Sequence, residues 1–154
     1  MSELYEKSLY KLELDQVLQL LSDCAGSVGG KEACLKIRPI SDLEEVELLL
    51  RQTTAASDLC TKKGNPVFGD VSDVSASLER ANLGGCLQPK ELLRIAGILR
   101  CTRNIRGYVS EDDQATVLDE MFRALTPNKF LEDKIYGAIL SEEEIADNAS
   151  PELS

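Results

Sequence analysis

Residues 40–66 read ISDLEEVELLLRQTTAASDLCTKKGNP and carry the strongest helix signal in the chain. Apolar and small side chains recur there at three- and four-residue steps, the period of one helix face. These residues are Leu43, Val46, Leu49, Leu50, Thr53, Ala56 and Cys60. Ser41 with Glu44 predicts a capping box, and Lys62, Lys63, Gly64 and Pro66 are typical of a helix end. The segment therefore predicts one long amphipathic helix.

The same periodicity predicts further helices on both sides of this segment. Leu14, Val17, Leu18 and Leu21 form a stripe that ends before Gly26. Shorter helices are predicted over about 27–37, 71–82, 114–125 and 128–136, and a long one over 89–108. In that long helix the apolar stripe consists of Leu92, Ile95, Ala96 and Leu99.

The end of the chain differs from the helical part. Residues 137–148 hold two short apolar stretches around an acidic turn, which predicts a small β-hairpin. The prediction is thus an all-α, multi-helix fold, with 1–154 as a single helical domain. SPEL, residues 150–153, has the form of a helix start, which leads us to expect a piece of a longer chain.

Composition excludes several classes of function. The 154 residues contain no histidine and five scattered cysteines without a CxxC pair, which argues against a zinc site and against Ser-His-Asp or Cys-His catalysis. We expect reduced, mostly buried thiols. The formal charge of −10 counts against autonomous nucleic-acid binding. Because no signal peptide or membrane span is recognisable, the predicted location is cytoplasmic.

Two motifs suggest chemistry but fit it poorly. AGSVGGKE, residues 25–32, resembles a phosphate-binding loop, yet Ala25 replaces the first glycine and Glu32 the metal-binding hydroxyl. A turn and helix start is the better interpretation. Glu13 and Asp15, two residues apart, point to different sides of a helix, and the run 142–144 is a solvated acidic face. We predict no catalytic, cofactor-binding or metal residues.

One helix carries an anomalous concentration of positive charge. Between residues 90 and 106 the basic residues are Lys90, Arg94, Arg100, Arg103 and Arg106, against one acid, Glu91. Because Arg100, Arg103 and Arg106 lie three apart, we expect them to line one side and the last two to continue the apolar stripe. Salt bridges with the acidic remainder would explain them. The alternative is that the five residues contact nucleic-acid phosphate or another subunit.

Four phrases in this order resemble the N-terminal region of the bacterial MutS-two family, paralogues of the mismatch-repair protein MutS. They are LELDQVLQLLSDCAGSVGGKEAC, IRPISDLEEVELLLRQTTAASDL, FGDVSDVSASLERANLGGCLQPKELLRIAGILRCTRNIR and EEEIADNASPEL. The resemblance covers nearly the whole chain, although residues 107–136 match poorly. It implies that 1–154 is the N-terminal part of the MutS-like core, and that SPEL leads into the lever helices.

The resemblance also implies what the chain lacks. Lever, clamp, ATPase and small-MutS-related nuclease domains would lie outside it, with the ATP and magnesium sites. It implies a full-length homodimer, an ATPase and endonuclease that binds branched DNA, suppressing homologous recombination, or rescues collided ribosomes. We then expect a non-catalytic segment that packs on the levers and couples them to the ATPase. The alternatives are an independent module for the ribosome or a partner protein, or a separate N-terminal nuclease that acts through Glu13, Asp15 or other carboxylates.

Overall fold

The computed structural model describes residues 7, 10–69, 71–109 and 115–146. Within these ranges it contains seven α-helices and no extended strand, which confirms the all-α, multi-helix prediction. The helices are α1 (Leu14–Cys24), α2 (Val28–Lys36), α3 (Leu43–Lys63), α4 (Ser75–Asn82), α5 (Pro89–Arg106), α6 (Asp119–Ala124) and α7 (Lys129–Ala138). In this part of the chain, every helix is too short or too polar to cross a membrane.

The chain forms two compact units, Met1–Ser41 and Asp42–Ser154. In the first unit α1 packs against α2, and Leu18 and Ser22 are the buried residues of α1. Val17 and Leu21, predicted on the same stripe as Leu18, stay 56% and 45% exposed. The short α2 covers only a narrow strip of its neighbour.

The core of the second unit lies between α5 and α7. Ala96 is completely buried against Ile135 and Ile139, because an alanine lets two helices approach closely. Around these three pack Leu92, Leu93, Ile95, Tyr136 and Ala138. The predicted stripe of α5 is thereby confirmed as a packing face for Leu92, Ile95 and Ala96.

The long helix α3 buries a different face from the predicted one. Leu59 is buried near its C-terminal end, where the Tyr108 hydroxyl donates to the carbonyl oxygens of Leu59 at 3.1 Å and Gly64 at 2.6 Å. In the N-terminal half, Leu43 and Leu50 are 70% and 62% exposed. We call Leu43, Val46, Leu49 and Leu50 the uncovered α3 face; Val46 is half-buried and Leu49 is exposed.

Three predicted helix starts are wrong by one or more residues, and near each actual start a side chain accepts a hydrogen bond from the backbone. The N-cap of α3 is Asp42, whose carboxylate accepts from the Glu45 N–H at 2.9 Å, so the predicted Ser41 capping box is not formed. The helix predicted from residue 71 begins at Ser75, whose N–H donates a hydrogen bond to the Asp73 side chain. The helix predicted from 114 begins at Asp119.

At Asp119 the delay has a visible cause. Its carboxylate accepts from the Thr116 N–H at 2.9 Å, and the Thr116 hydroxyl accepts from the Leu118 N–H at 3.2 Å. These side-chain bonds hold a turn in front of the helix. The helix predicted over 128–136 is confirmed as α7, and the one predicted over 89–108 as α5, which ends at Arg106.

The predicted hairpin is reduced to one antiparallel bridge between Ile139 and Ile145, with the Ala146 N–H donating to the Ala138 carbonyl. Residues 147–148 and the SPEL phrase lie outside the described residues. All five cysteines are free, as predicted. The prediction that most are buried is wrong, because Cys24 and Cys86 are exposed and the other three half-buried.

Candidate functional site

The basic helix α5 is fixed at its N-terminus by Glu91. Its carboxylate accepts from the Gln88 N–H at 2.9 Å and the Ser77 hydroxyl at 2.7 Å, and it pairs with Arg80 of α4. These contacts, led by the Gln88 N–H, lower the pKa of Glu91 to about 2. The carboxylate thus ties α4 to the start of α5 and anchors the helix that carries the basic residues.

The five basic residues of α5 do not share one side of the helix. A step of three residues turns the side-chain direction by about −60°, so Arg100, Arg103 and Arg106 spread over about 120°. Arg103 faces α7, Arg100 lies at the edge of that contact, and Arg106 is exposed. The expected line of three arginines is therefore not formed.

Arg103 meets a buried carboxylate on α7. Its Nε and an Nη each donate to Glu132 over 2.9 Å, while Glu132 is only 3% exposed. The hydrogen bonds from Arg103 lower the pKa of Glu132 and outweigh its burial, and the Arg103 pKa is raised in return. The cationic end of the apolar stripe is thus neutralised within the fold.

Arg100 is held in place by two groups of α7. Its Nε lies 3.5 Å from a Glu132 oxygen, and its guanidinium carbon stands 4.1 Å from the centre of the Tyr136 ring. The side chain nevertheless stays 52% exposed. This pairing orients a planar cation while leaving part of it accessible.

A groove of about 380 Å³ runs beside α5 in the second unit. We call it the basic groove, and it is lined by Val67, Phe68, Gly69, Lys90, Leu93, Arg94, Gly97, Arg100, Cys101, Asn104, Tyr136 and Glu142. Lys90, Arg94 and Arg100 are the predicted contact residues that it brings together. Lys90 also pairs with Glu142 over 2.8 Å. Arg103 and Arg106 do not line the groove.

The other motifs singled out in the sequence have structural roles or stay dispersed. Ser27 caps α2 by accepting from the Gly30 N–H at 3.1 Å, so the interpretation of 25–32 as a helix start is confirmed. Glu13 has a left-handed backbone before α1, and Asp15 is exposed in its first turn. In the described ranges, no three Cys, Asp or Glu residues are grouped to hold a metal ion.

Sequence reasoning missed Glu132 and Tyr108. Glu132 stands three, four and seven residues before Ile135, Tyr136 and Ile139, so it occupies a position on the apolar stripe of α7. An acid on such a stripe signals a buried ion pair. For Tyr108 no local signal exists, because its hydroxyl partners lie more than 40 residues away in the sequence.

These observations define a helical module with a basic groove beside α5. No family model matches the chain. It is 41% identical over 152 residues to "Endonuclease MutS2" of Ruminiclostridium cellulolyticum. It is 40% identical over 153 residues to the protein of that name from Acetivibrio thermocellus.

A third relative of the same name, from Agathobacter rectalis, is 38% identical over 151 residues. The matches cover 97%, 97% and 96% of the chain, respectively, and each covers 19% of the relative. The chain thus spans about a fifth of the length of these proteins. The chain belongs to the MutS2 family and corresponds to the N-terminal region of its members.

Proposed function

We propose that this chain is a non-catalytic packing module of the MutS2 core, on which other helices of a longer MutS2 protein rest. The observation that carries the proposal is the uncovered α3 face, where Leu43 and Leu50 are 70% and 62% exposed. Contiguous exposed apolar side chains mark an interaction surface more often than isolated ones do. The occupant is a helical segment of the same protein, because the relatives are about five times longer.

The way α3 is anchored supports this role. Tyr108 binds the carbonyl oxygens at the C-terminal end of α3, and the Lys63 ammonium donates to the Tyr108 carbonyl over 3.1 Å. The N-terminal half, which carries Leu43, Leu49 and Leu50, therefore extends from a fixed base. Covering these three leucines would contribute roughly 3–5 kcal/mol of apolar burial.

The finer roles follow from the family and are proposals for the whole protein. We propose that the module couples the lever helices to an ATPase that uses ATP and magnesium in a homodimer. The name of the relatives, Endonuclease MutS2, supports endonuclease activity of the whole protein. The resemblance to the MutS-two family supports binding of branched DNA, in suppression of homologous recombination, and/or of collided ribosomes. Free thiols support a cytoplasmic location.

The test replaces leucines on the uncovered face in a full-length MutS2 protein that carries this sequence. Leu43→Asp with Leu50→Asp should lower the melting temperature and the ATPase rate of the long protein. The same pair should leave the helical circular-dichroism signal and melting temperature of the 154-residue chain almost unchanged. Leu83→Asp is the matched control, because Leu83 is 87% exposed and lies outside α3.

Two results would contradict this role. One is a full-length protein that tolerates both aspartates as well as it tolerates the control. The other is a 154-residue chain that forms a stable dimer by sedimentation and loses it with the same substitutions, which would assign the face to a second copy. Cleavage of DNA by the purified 154-residue chain would favour the nuclease alternative instead.

A further inference from the structure

We propose that the basic groove binds a short stretch of single-stranded nucleic acid, with backbone phosphate on Arg94 and Lys90 and a base against Phe68. The inference goes beyond the packing role, since the groove lies on α5 and shares no residue with the uncovered α3 face. Either proposal can therefore fail alone.

The local charge of the groove opposes that of the whole chain. Among the described residues, Lys90, Arg94 and Arg100 line it together with one acid, Glu142, although the chain carries a formal charge of −10. Arg94 is exposed and has no ion-pair partner within the described part of the chain. An accessible cation that the fold leaves unneutralised is available to an external phosphate.

The groove is also organised before any ligand arrives. Arg100 is oriented by Glu132 at 3.5 Å and by the Tyr136 ring at 4.1 Å, so it loses little rotamer freedom on binding. Lys90 is paired with Glu142, and both side chains are about half exposed. A phosphate can displace this exposed carboxylate, because such surface pairs contribute little.

The remaining wall of the groove favours a nucleotide over an acidic peptide. Phe68 is 42% exposed, and the guanidinium of Arg100 presents a second flat surface, backed by Tyr136. Bases stack on aromatic rings and on arginine planes. Asn104 adds an amide that can hydrogen-bond a base edge. The volume of about 380 Å³ lies within the usual range for a small-ligand site.

The experiment measures fluorescence anisotropy of labelled dT12 and U12 with the 154-residue chain over a series of salt concentrations. We expect a dissociation constant of roughly 10–100 μM. Arg94→Ala should weaken binding about tenfold and reduce the salt dependence by about one phosphate contact. Phe68→Leu should weaken binding without changing the salt dependence, and Glu142→Gln should strengthen it.

The matched control is Arg106→Ala, which removes the same charge from the same helix outside the groove. It should leave the affinity unchanged, and thermal melting verifies that each variant folds. The proposal is overturned by absent binding, or by equal losses for Arg94→Ala and Arg106→Ala. It is likewise overturned if a labelled oligoglutamate peptide, and neither oligonucleotide, binds in an Arg94-dependent way.

Discussion

The ion pair between Arg103 and Glu132 allows a quantitative prediction, because its carboxylate is buried while its guanidinium is partly exposed. Glu132 accepts two hydrogen bonds of 2.9 Å from the guanidinium, and a hydrogen bond to a charged group contributes about 1.5–3 kcal/mol. Glu132→Gln keeps the size and one carbonyl oxygen of the side chain. The substitution should therefore lower the free energy of unfolding by about 2 kcal/mol, about half of the contribution of the two hydrogen bonds.

The assay is urea unfolding followed by circular dichroism at 222 nm and pH 7. With a urea dependence of about 2 kcal/mol per molar, Glu132→Gln should lower the midpoint by about 1 M. Asp133→Asn is the matched acid-to-amide control, since the Lys129–Asp133 pair is more than half exposed and should change stability by less than about 0.5 kcal/mol.

The order of the partner variants tests the same reasoning. Arg103→Met should lower the urea midpoint more than Glu132→Gln, because it leaves the Glu132 carboxylate charged and only 3% exposed. Among the described residues, its remaining ion-pair partner is Arg100 at 3.5 Å. Arg103→Met with Glu132→Met should recover most of the loss, since apolar side chains can replace a buried pair. An unchanged midpoint for Glu132→Gln, or a double variant no better than Arg103→Met, refutes the reasoning.

Four further variants probe the second unit. Gly85→Ala should lower the free energy of urea unfolding by about 1–2 kcal/mol, because an added Cβ would stand 2.7 Å from Arg80 Cγ. Gly97→Ala should raise this free energy by about 0.5–1 kcal/mol, because the space around Gly97 is open and alanine favours helix. Glu91 stabilises the fold above its usual pKa of 4.5 and loses this effect as pH falls towards about 2, so the melting-temperature deficit of Glu91→Gln should shrink over that interval. Tyr108→Phe should speed amide exchange at the C-terminal end of α3, whose carbonyls it binds.

Each of these has an outcome that would contradict it. Equal effects of alanine at residues 85 and 97 would mean that the close approach to Arg80 does not constrain the turn. A melting-temperature deficit of Glu91→Gln that stays constant from pH 6 to 2.5 would contradict the lowered pKa of Glu91. Unchanged exchange in Tyr108→Phe would show that α3 is anchored by other contacts.

The helical period predicted where most helices lie, because it is a local property of the sequence. Turn chemistry was harder to assign, since Ser41, Asp42 and Asp73 are all competent caps and only the backbone path selects among them. The boundaries of α3, α4 and α6 therefore shifted, while α5, with Pro89 at its first position, was predicted from its true start.

Which face of a helix is packed could not be predicted from the same pattern. The stripe of α5 is buried because α7 supplies Ile135 and Ile139. The equally regular stripe of α3 has no such partner in the described residues, and Leu43 and Leu50 stay exposed. Apolar periodicity states that a face can be buried, whereas its burial depends on an element elsewhere in the chain.

The candidate site was predicted in part for the same reason. The excess of positive charge on α5 was visible in the sequence, but its division between a groove and a buried pair depends on Glu132, Tyr136 and Glu142, all at least 29 residues further on. The salt-bridge interpretation describes Arg103 and also the pairs that Lys90 and Arg100 form with Glu142 and Glu132. Contact with phosphate stays a prediction for Lys90, Arg94 and Arg100.

The central claim is that the uncovered α3 face is the packing surface for a longer protein. Hydroxyl-radical footprinting of Leu43, Leu49 and Leu50, read by mass spectrometry, compares the 154-residue chain with a full-length MutS2 protein that carries it. We expect rapid oxidation of these leucines in the chain alone and several-fold slower oxidation in the long protein, with the oxidation rate of Leu83 the same in both. Equal oxidation of the three leucines in both proteins would contradict it.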